Sequence, residues 1–397
     1  MLFYLLDLLR SWFDGSWLYG FPFSLLDQVE FRALFAAMGA FVFVVVAGKP
    51  VIAALRRAKI GDIGTTDAGA LQEFATSKKN TPTMGGVLIC GSILLWSLLL
   101  ADLREQIVVL GVLVLVWLTI LGGVDDWLKL TIARREGGRQ GLMAWEKLVF
   151  QLGLGLLVGF FGYRMGVGVP LDGATQPDPS MWHVLNLPFQ RTFEPGTGFA
   201  ETGLIFLPMA AYVVIAMLLL PGMSNAVNLT DGMDGLAGGI AAAVSFGLML
   251  LALVAGDEGL AQYFLVPYVP PADELGVIAG AMAGACLGFL WWNCNPAQVF
   301  MGDTGSLALG GLIAYIAIMI RQEAVMVLMC GVFVLEMVSV IMQVGYYKMT
   351  GGRRIFRMAP YHHHLQMGGW PESRIVGRLW IVSILLTIVA VASLKVR

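Results

Sequence analysis

Long apolar runs separated by short polar stretches make up most of this chain. A membrane-spanning helix needs about 20 predominantly apolar residues. Ten stretches qualify, at residues 33–55, 83–101, 106–124, 147–165, 203–221, 236–256, 274–292, 304–320, 325–346 and 376–394. With no internal repeat and no low-complexity linker between them, the pattern predicts an all-α integral membrane protein, a single polytopic domain over residues 1–397. The opening stretch MLFYLLDLLRSWFDGSW has no basic region ahead of its apolar residues and contains Asp7. With Trp12 and Trp17 it reads as an interfacial segment rather than a signal peptide.

An even number of spans places both termini on one side, and charge then orients the whole. The segments from Lys49 to Lys79, Lys129 to Lys147 and Lys348 to Arg378 fall on one face and carry 6, 5 and 6 Lys or Arg, 17 of the 25 in the chain. Cytoplasmic loops hold such an excess, so this face is predicted to be cytoplasmic and the termini periplasmic. The longest connection on the other side, 166–202, is rich in Gly and Pro and is expected to be an irregular external loop.

Composition agrees with this class: 58% of residues are hydrophobic, 13% are charged, and the mean hydropathy is +0.77. The net charge of −2 and the lack of a long basic tract argue against nucleic-acid binding. Cys90, Cys286, Cys294 and Cys330 show no CxxC spacing, so neither a disulfide framework nor a zinc ribbon is indicated.

Five polar, glycine-punctuated stretches share the predicted cytoplasmic face: KKNTPTMGG (78–86), VDDWLK (124–129), SNAVNLTDGMDGLAGG (224–239), NCNPAQVFMGDTGS (293–306) and MAPYHHHLQMGGWPE (358–372). Their common side argues for one composite site. Asp125 and Asp126 end an apolar helix at its negative pole, where a carboxylate is disfavoured unless something positive lies nearby. Lys129, four and three residues on, is in reach of both if the helix continues. Asp234 and Asp303 each precede an apolar helix, where they serve either as caps or as ligands. Asn225, Asn228 and Asp231 recur every third residue along one helical surface, as a polar helix end or as part of the site. Glu336 stands inside an apolar run, with Gln343 two turns later, as a buried polar contact or a functional acid. His362, His363 and His364 lack zinc-type spacing and read as phosphate partners or proton handlers. Phe300 belongs to the core or stacks on a base. Hard oxygen donors, lysines and imidazoles together suit Mg²⁺ and phosphate rather than a soft metal. A secondary transporter, using Glu336 and broken Gly-rich helices, is the alternative from another class, although the motifs gather at one edge rather than at mid-membrane.

KKNTPTMGG, VDDWLK, NAVNLTDGMDGLAGG, PAQVFMGDTGSLALGG and FRMAPYHHHLQMGGWPE, in this order, resemble the phospho-N-acetylmuramoyl-pentapeptide transferase family of bacterial peptidoglycan synthesis across essentially the whole chain. That family lies within the polyprenyl-phosphate N-acetylhexosamine-1-phosphate transferases, and the HHH stretch followed by GWPE points to its muramoyl branch. The resemblance implies transfer from UDP-N-acetylmuramoyl-pentapeptide to undecaprenyl phosphate, with Mg²⁺, in the bacterial cytoplasmic membrane, by a homodimer. It assigns Asp125, Asp126 and Asp303 as essential acids and candidate metal ligands, and His362 as a catalytic histidine. It places Lys78, Thr83, Lys129, Asn225, Asn228, Asp231, Asp234, Asn293, Phe300, Gln343 and His363 in the nucleotide-sugar site. Leu365 and Gln366 depart from the aromatic residue and Glu that usually follow the histidines.

Overall fold

The computed structural model describes residues 23–58, 81–132, 141–167, 180–187, 190–194, 198–199 and 203–394. The N-terminal segment read as interfacial lies outside them, as do Lys78 and much of the loop expected to be external. Thirteen α-helices occur among the described residues: α1 Val29–Arg57, α2 Gly86–Leu100, α3 Gln106–Ile132, α4 Ala144–Met165, α5 Met209–Thr230, α6 Leu236–Gly256, α7 Glu258–Phe264, α8 Glu274–Asn293, α9 Asp303–Met319, α10 Glu323–Met329, α11 Gly331–Met349, α12 Tyr361–Gln366 and α13 Glu372–Ser393. Eight of them are long and apolar enough to cross a membrane, and α2 and α9 are shorter apolar helices. This is the architecture of a multi-pass membrane protein.

Each of the ten apolar runs contributes a helix, although the run at 203–221 opens with a strand at Ile205–Phe206, and two further differences matter. Residues 325–346 are not one helix but two, α10 and α11, broken at Cys330 beside Gly331. Helices α3 and α5 run further than their apolar stretches, to Ile132 and Thr230, and so carry the polar residues of their motifs on helical turns. Four short strands form two antiparallel pairs, Val184–Leu185 with Ile205–Phe206 and Phe193–Glu194 with Gly198–Phe199; three lie in the segment 166–202 expected to be irregular and the fourth just after it. Arg321, fully buried, holds the first pair to the bundle by donating from Nε to the Val184 carbonyl at 2.9 Å.

Helix α9 is the centre. All 17 of its residues are buried, against α2, α3, α5 and α6. Walled by other helices instead of lipid, it need not match the hydrocarbon thickness, and the non-helical stretch 294–302 before it turns inward only at its end, where Val299 and Met301 are buried. Phe300 donates its amide to the Pro82 carbonyl, while Gly85 and Gly86 donate theirs to Phe300 and Met301, all at 2.8 Å. The start of α2 and the start of α9 are thereby stitched together. Close approach needs a bare backbone where α3 crosses the first turn of α9: a Cβ on Gly122 would run into the Asp303 carbonyl.

Candidate active site

The paired acids at the end of α3 meet the start of α9. Asp126 accepts the Asp303 amide on Oδ1 at 3.1 Å, and on Oδ2 the Thr304 amide at 2.9 Å and the Thr304 hydroxyl at 2.6 Å. Because α3 continues to Ile132, Asp126 does not sit at the negative pole of its own helix; it lies at the positive pole of α9, satisfying amides that have no partner within that helix. Gly302, the N-cap residue of α9, has φ of 72°, a conformation few other residues adopt, and a side chain there would press on Asp126.

Asp125 and Asp303 face each other across two ammonium groups. Lys129 Nζ lies 2.7 Å from Asp125 Oδ2 and 3.1 Å from Asp303 Oδ1; Lys147 Nζ lies 2.8 Å from Asp125 Oδ2 and 2.6 Å from Asp303 Oδ2. The Leu142 amide donates to Asp125 Oδ1 at 2.7 Å, and Asn228 Nδ2 donates to Asp303 Oδ1 and to Ser306 Oγ, both at 2.9 Å. Asp125 is fully buried, whereas the Lys129 side chain is 44% exposed and that of Lys147 is 15% exposed. Lys129 thus forms the rim of the cluster and Lys147 its floor. Each of the three acids offers an oxygen, and these lie within 4.8 Å of one another, a hard-donor set that could hold a metal ion.

The capping alternatives for Asp303 and Asp234 do not hold. Asp303 is the first helical residue and leaves the cap to Asp126. Asp234 precedes a left-handed Gly235 and instead binds the 294–298 loop, its Oδ2 accepting from Asn295 Nδ2 at 3.2 Å and from the Ala297 amide at 3.1 Å. Asn293 accepts the Gly235 amide at 2.9 Å and donates to the Val299 carbonyl at 2.8 Å, while Gln343 accepts the amides of Ile355 and Phe356 at 3.1 and 2.9 Å. Asp234, Asn293 and Gln343 hold loops around the site. Asn225 donates to Gln151 Oε1 at 2.8 Å, Asp231 ends α5, and Thr83 lies beside Gly302. Phe300 contributes its backbone to the stitch described above. His363 Nδ1 lies 3.0 Å from Gln366 Oε1, so the residue that replaces the usual Glu orients an imidazole.

Sequence reasoning missed Lys147, Thr304, Ser306 and Gln151. Lys147 had a usable signal: a cation in the first turn of α4 sits at the unfavourable pole of the dipole, the same anomaly that marked Asp125 and Asp126. Gln151, fully buried, donates to Ser224 and supports Asn225.

Hard-oxygen donors and paired lysines gather where the apolar helices α3, α4, α5 and α9 end or begin, in a multi-pass membrane protein. The model for glycosyl transferase family 4 matches residues 107–321, and phospho-N-acetylmuramoyl-pentapeptide-transferase signature 1 matches residues 78–90. A phospho-N-acetylmuramoyl-pentapeptide-transferase of Desulfotalea psychrophila is 40% identical over 397 residues, all of both chains. One of Citrifermentans bemidjiense is 40% identical over 375 residues, 94% of this chain and 96% of the relative. The chain belongs to the phospho-N-acetylmuramoyl-pentapeptide-transferase family, glycosyl-1-phosphate transferases of peptidoglycan synthesis.

Proposed function

We propose that this chain transfers phospho-N-acetylmuramoyl-pentapeptide from its UDP carrier to undecaprenyl phosphate, releasing UMP and forming lipid I. The site faces the cytoplasm at the bacterial cytoplasmic membrane, and both termini lie on the periplasmic side; the concentration of Lys and Arg on the motif-bearing loops supports this orientation. The observation that carries the reading is the joining of Asp125, Asp126 and Asp303 to Lys129 and Lys147. Three carboxylates and no soft donor fit Mg²⁺. Asp125 and Asp303 would hold the ion, with Asp126 keeping Asp303 in place through the first amides of α9. Bound there, Mg²⁺ supplies charge neutralisation to a diphosphate.

The residues themselves do the positioning. Lys129, at the rim, is the ammonium placed to turn toward a substrate phosphate, while the more enclosed Lys147 keeps the acids apart and paired. An oxygen of the lipid phosphate attacks the sugar-linked phosphorus directly. The new P–O bond forms as the bond to the UMP oxygen breaks, and UMP leaves with the electron pair. A phosphate monoester is already ionised at neutral pH and needs alignment more than activation. Asp125 is not poised as a nucleophile, since both its oxygens are engaged by an amide and two ammonium groups.

The test uses purified chain in detergent, where transport across a sealed compartment is impossible. Labelled lipid product is expected with UDP-N-acetylmuramoyl-pentapeptide and Mg²⁺, and not with UDP-N-acetylglucosamine or with excess chelator; product from the second donor alone would move the chain to another branch. Exchange of labelled UMP into the donor should require the lipid. Exchange at the turnover rate in lipid-free enzyme would demand a covalent intermediate.

A further inference from the structure

Glu336 is the intramembrane acid that the sequence set apart and the reaction above leaves unused. It is fully buried on α11, and so is its partner His362. Both the backbone amide of His362 and its ring Nδ1 lie 3.1 Å from Glu336 Oε2. An amide can only donate, so Oε2 acts as acceptor there, and the geometry is completed when the ring donates from Nδ1 as well. An imidazole protonated on Nδ1 carries a lone pair on Nε2.

That second nitrogen is buried and has no hydrogen-bond partner among the described residues. It abuts the turn after α5: a Cβ on Gly232 would lie 2.5 Å from Nε2. Gly232 is four residues beyond Asn228, whose side chain holds Asp303. The unsatisfied nitrogen therefore points at the segment that links the histidine motif to the acid cluster.

We infer that Glu336 is a positioning residue: it locks His362 in the Nδ1–H form and presents Nε2, as a hydrogen-bond acceptor, to the substrate at the Asp231–Gly232 turn. A phosphate oxygen has no hydrogen to give such a nitrogen, so the matching chemistry is a hydroxyl or an N–H of the nucleotide-sugar. The arrangement follows the pattern in which a buried carboxylate fixes the tautomer and orientation of a histidine that works through its far nitrogen. Its part in transfer rests on the proposed function; the tautomer does not.

The experiment labels the ring nitrogens of histidine with ¹⁵N in the purified full chain, which has four histidines, and assigns His362 with the variant His362→Gln. The wild-type ring is expected to show a protonated Nδ1 and an unprotonated Nε2, without any substrate. Glu336→Gln, whose amide oxygen can accept both hydrogen bonds, should keep that pattern. Glu336→Leu, apolar in an apolar wall, should lose it. In turnover, Glu336→Leu should lower kcat by roughly tenfold or more, with KM for the nucleotide-sugar changed by less than about threefold. Glu336→Gln should stay within about threefold of wild type in kcat. A wild-type ring protonated on Nε2, wild-type kcat in Glu336→Leu, or a loss in Glu336→Gln as deep as in Glu336→Leu would each overturn the inference. Should Glu336→Leu fail to fold, the wild-type spectrum and Glu336→Gln still decide it. If the wild-type chain makes no lipid product, the transferase reading falls while the ring spectrum continues to judge the tautomer.

Discussion

The bundle carries a charged cluster at each end, and the two are built differently. At one end Arg32 grips Glu274 with two nitrogens, Nη1 to Oε2 at 2.9 Å and Nη2 to Oε1 at 2.5 Å, and also donates to the Leu100 carbonyl at 2.8 Å. The Asp102 amide adds a further donor to Glu274 at 2.9 Å, and both charged partners are buried. At the other end, beyond the length of α3, the cations shared by Asp125 and Asp303 are lysines, one of them 44% exposed, with the Leu142 amide and Asn228 as neutral donors. A guanidinium fork fixes its carboxylate in one geometry and stays charged; an ammonium on a flexible stem is a point charge that can be displaced. The arginine cluster ties α1, α2 and α8 together. The lysine cluster holds its acids by charges that can be displaced, as the proposed Mg²⁺ and phosphate binding would require.

Substitutions should separate the two ends. Asp125→Asn and Asp303→Asn are each expected to lower turnover roughly a thousandfold while the protein still extracts and elutes as a folded species. Near-normal turnover in either would remove that acid from the chemistry. At the opposite end, Arg32→Met leaves Glu274 buried without its partner and should cost about 3–5 kcal/mol of stability, read as a lower unfolding midpoint, with kcat per folded molecule unchanged. A kcat loss there would mean that the two ends are coupled.

The smallest effect belongs to Asp273, in the loop before α8. Burial, and then the charge of Glu274, push its carboxyl up to about 6. An acid whose folded pKa is raised binds its proton more tightly in the native state, so stability falls as pH rises from the unfolded value toward about 6. Asp273→Asn should therefore raise the melting temperature by about one to two degrees at pH 8, and the gain should vanish below pH 4. An equal shift at both pH values would show that ionisation is not the cause.

Much of this was visible in the sequence. Apolar run length located every main helix, because lipid demands it of any spanning segment. Helix ends were less legible. Counting apolar residues stops α3 at 124 and α5 at 221, yet each continues for about two turns, since Asp125, Asp126 and Asn228 find partners on other helices. Those partners are remote in the chain, and spacing cannot announce them: Asp126 and Thr304 are separated by 178 positions. The same limit hid the division of labour among the polar residues. Asp125, Asp126, Asp303, Lys129 and Asn228 were read together and do meet. Asn293, Asp234 and Gln343, equally polar and equally close to glycines, hold backbone amides or carbonyls that loops between helices leave without partners. Residue type alone does not announce which of these side chains also fastens a loop.

Cation binding in the absence of substrate tests the account most directly. If lysines occupy the place of a divalent ion between Asp125 and Asp303, Mn²⁺ titrated into the purified chain and followed by electron paramagnetic resonance should bind at one site per chain. Lys147→Met removes a competing ammonium from that site and should tighten binding, by roughly tenfold if a single displaced charge pair costs about 1.4 kcal/mol. Asp125→Asn and Asp303→Asn should each weaken it by a similar factor or more. Affinity unchanged by Asp303→Asn, or lowered by Lys147→Met, would contradict a lysine-guarded cation site.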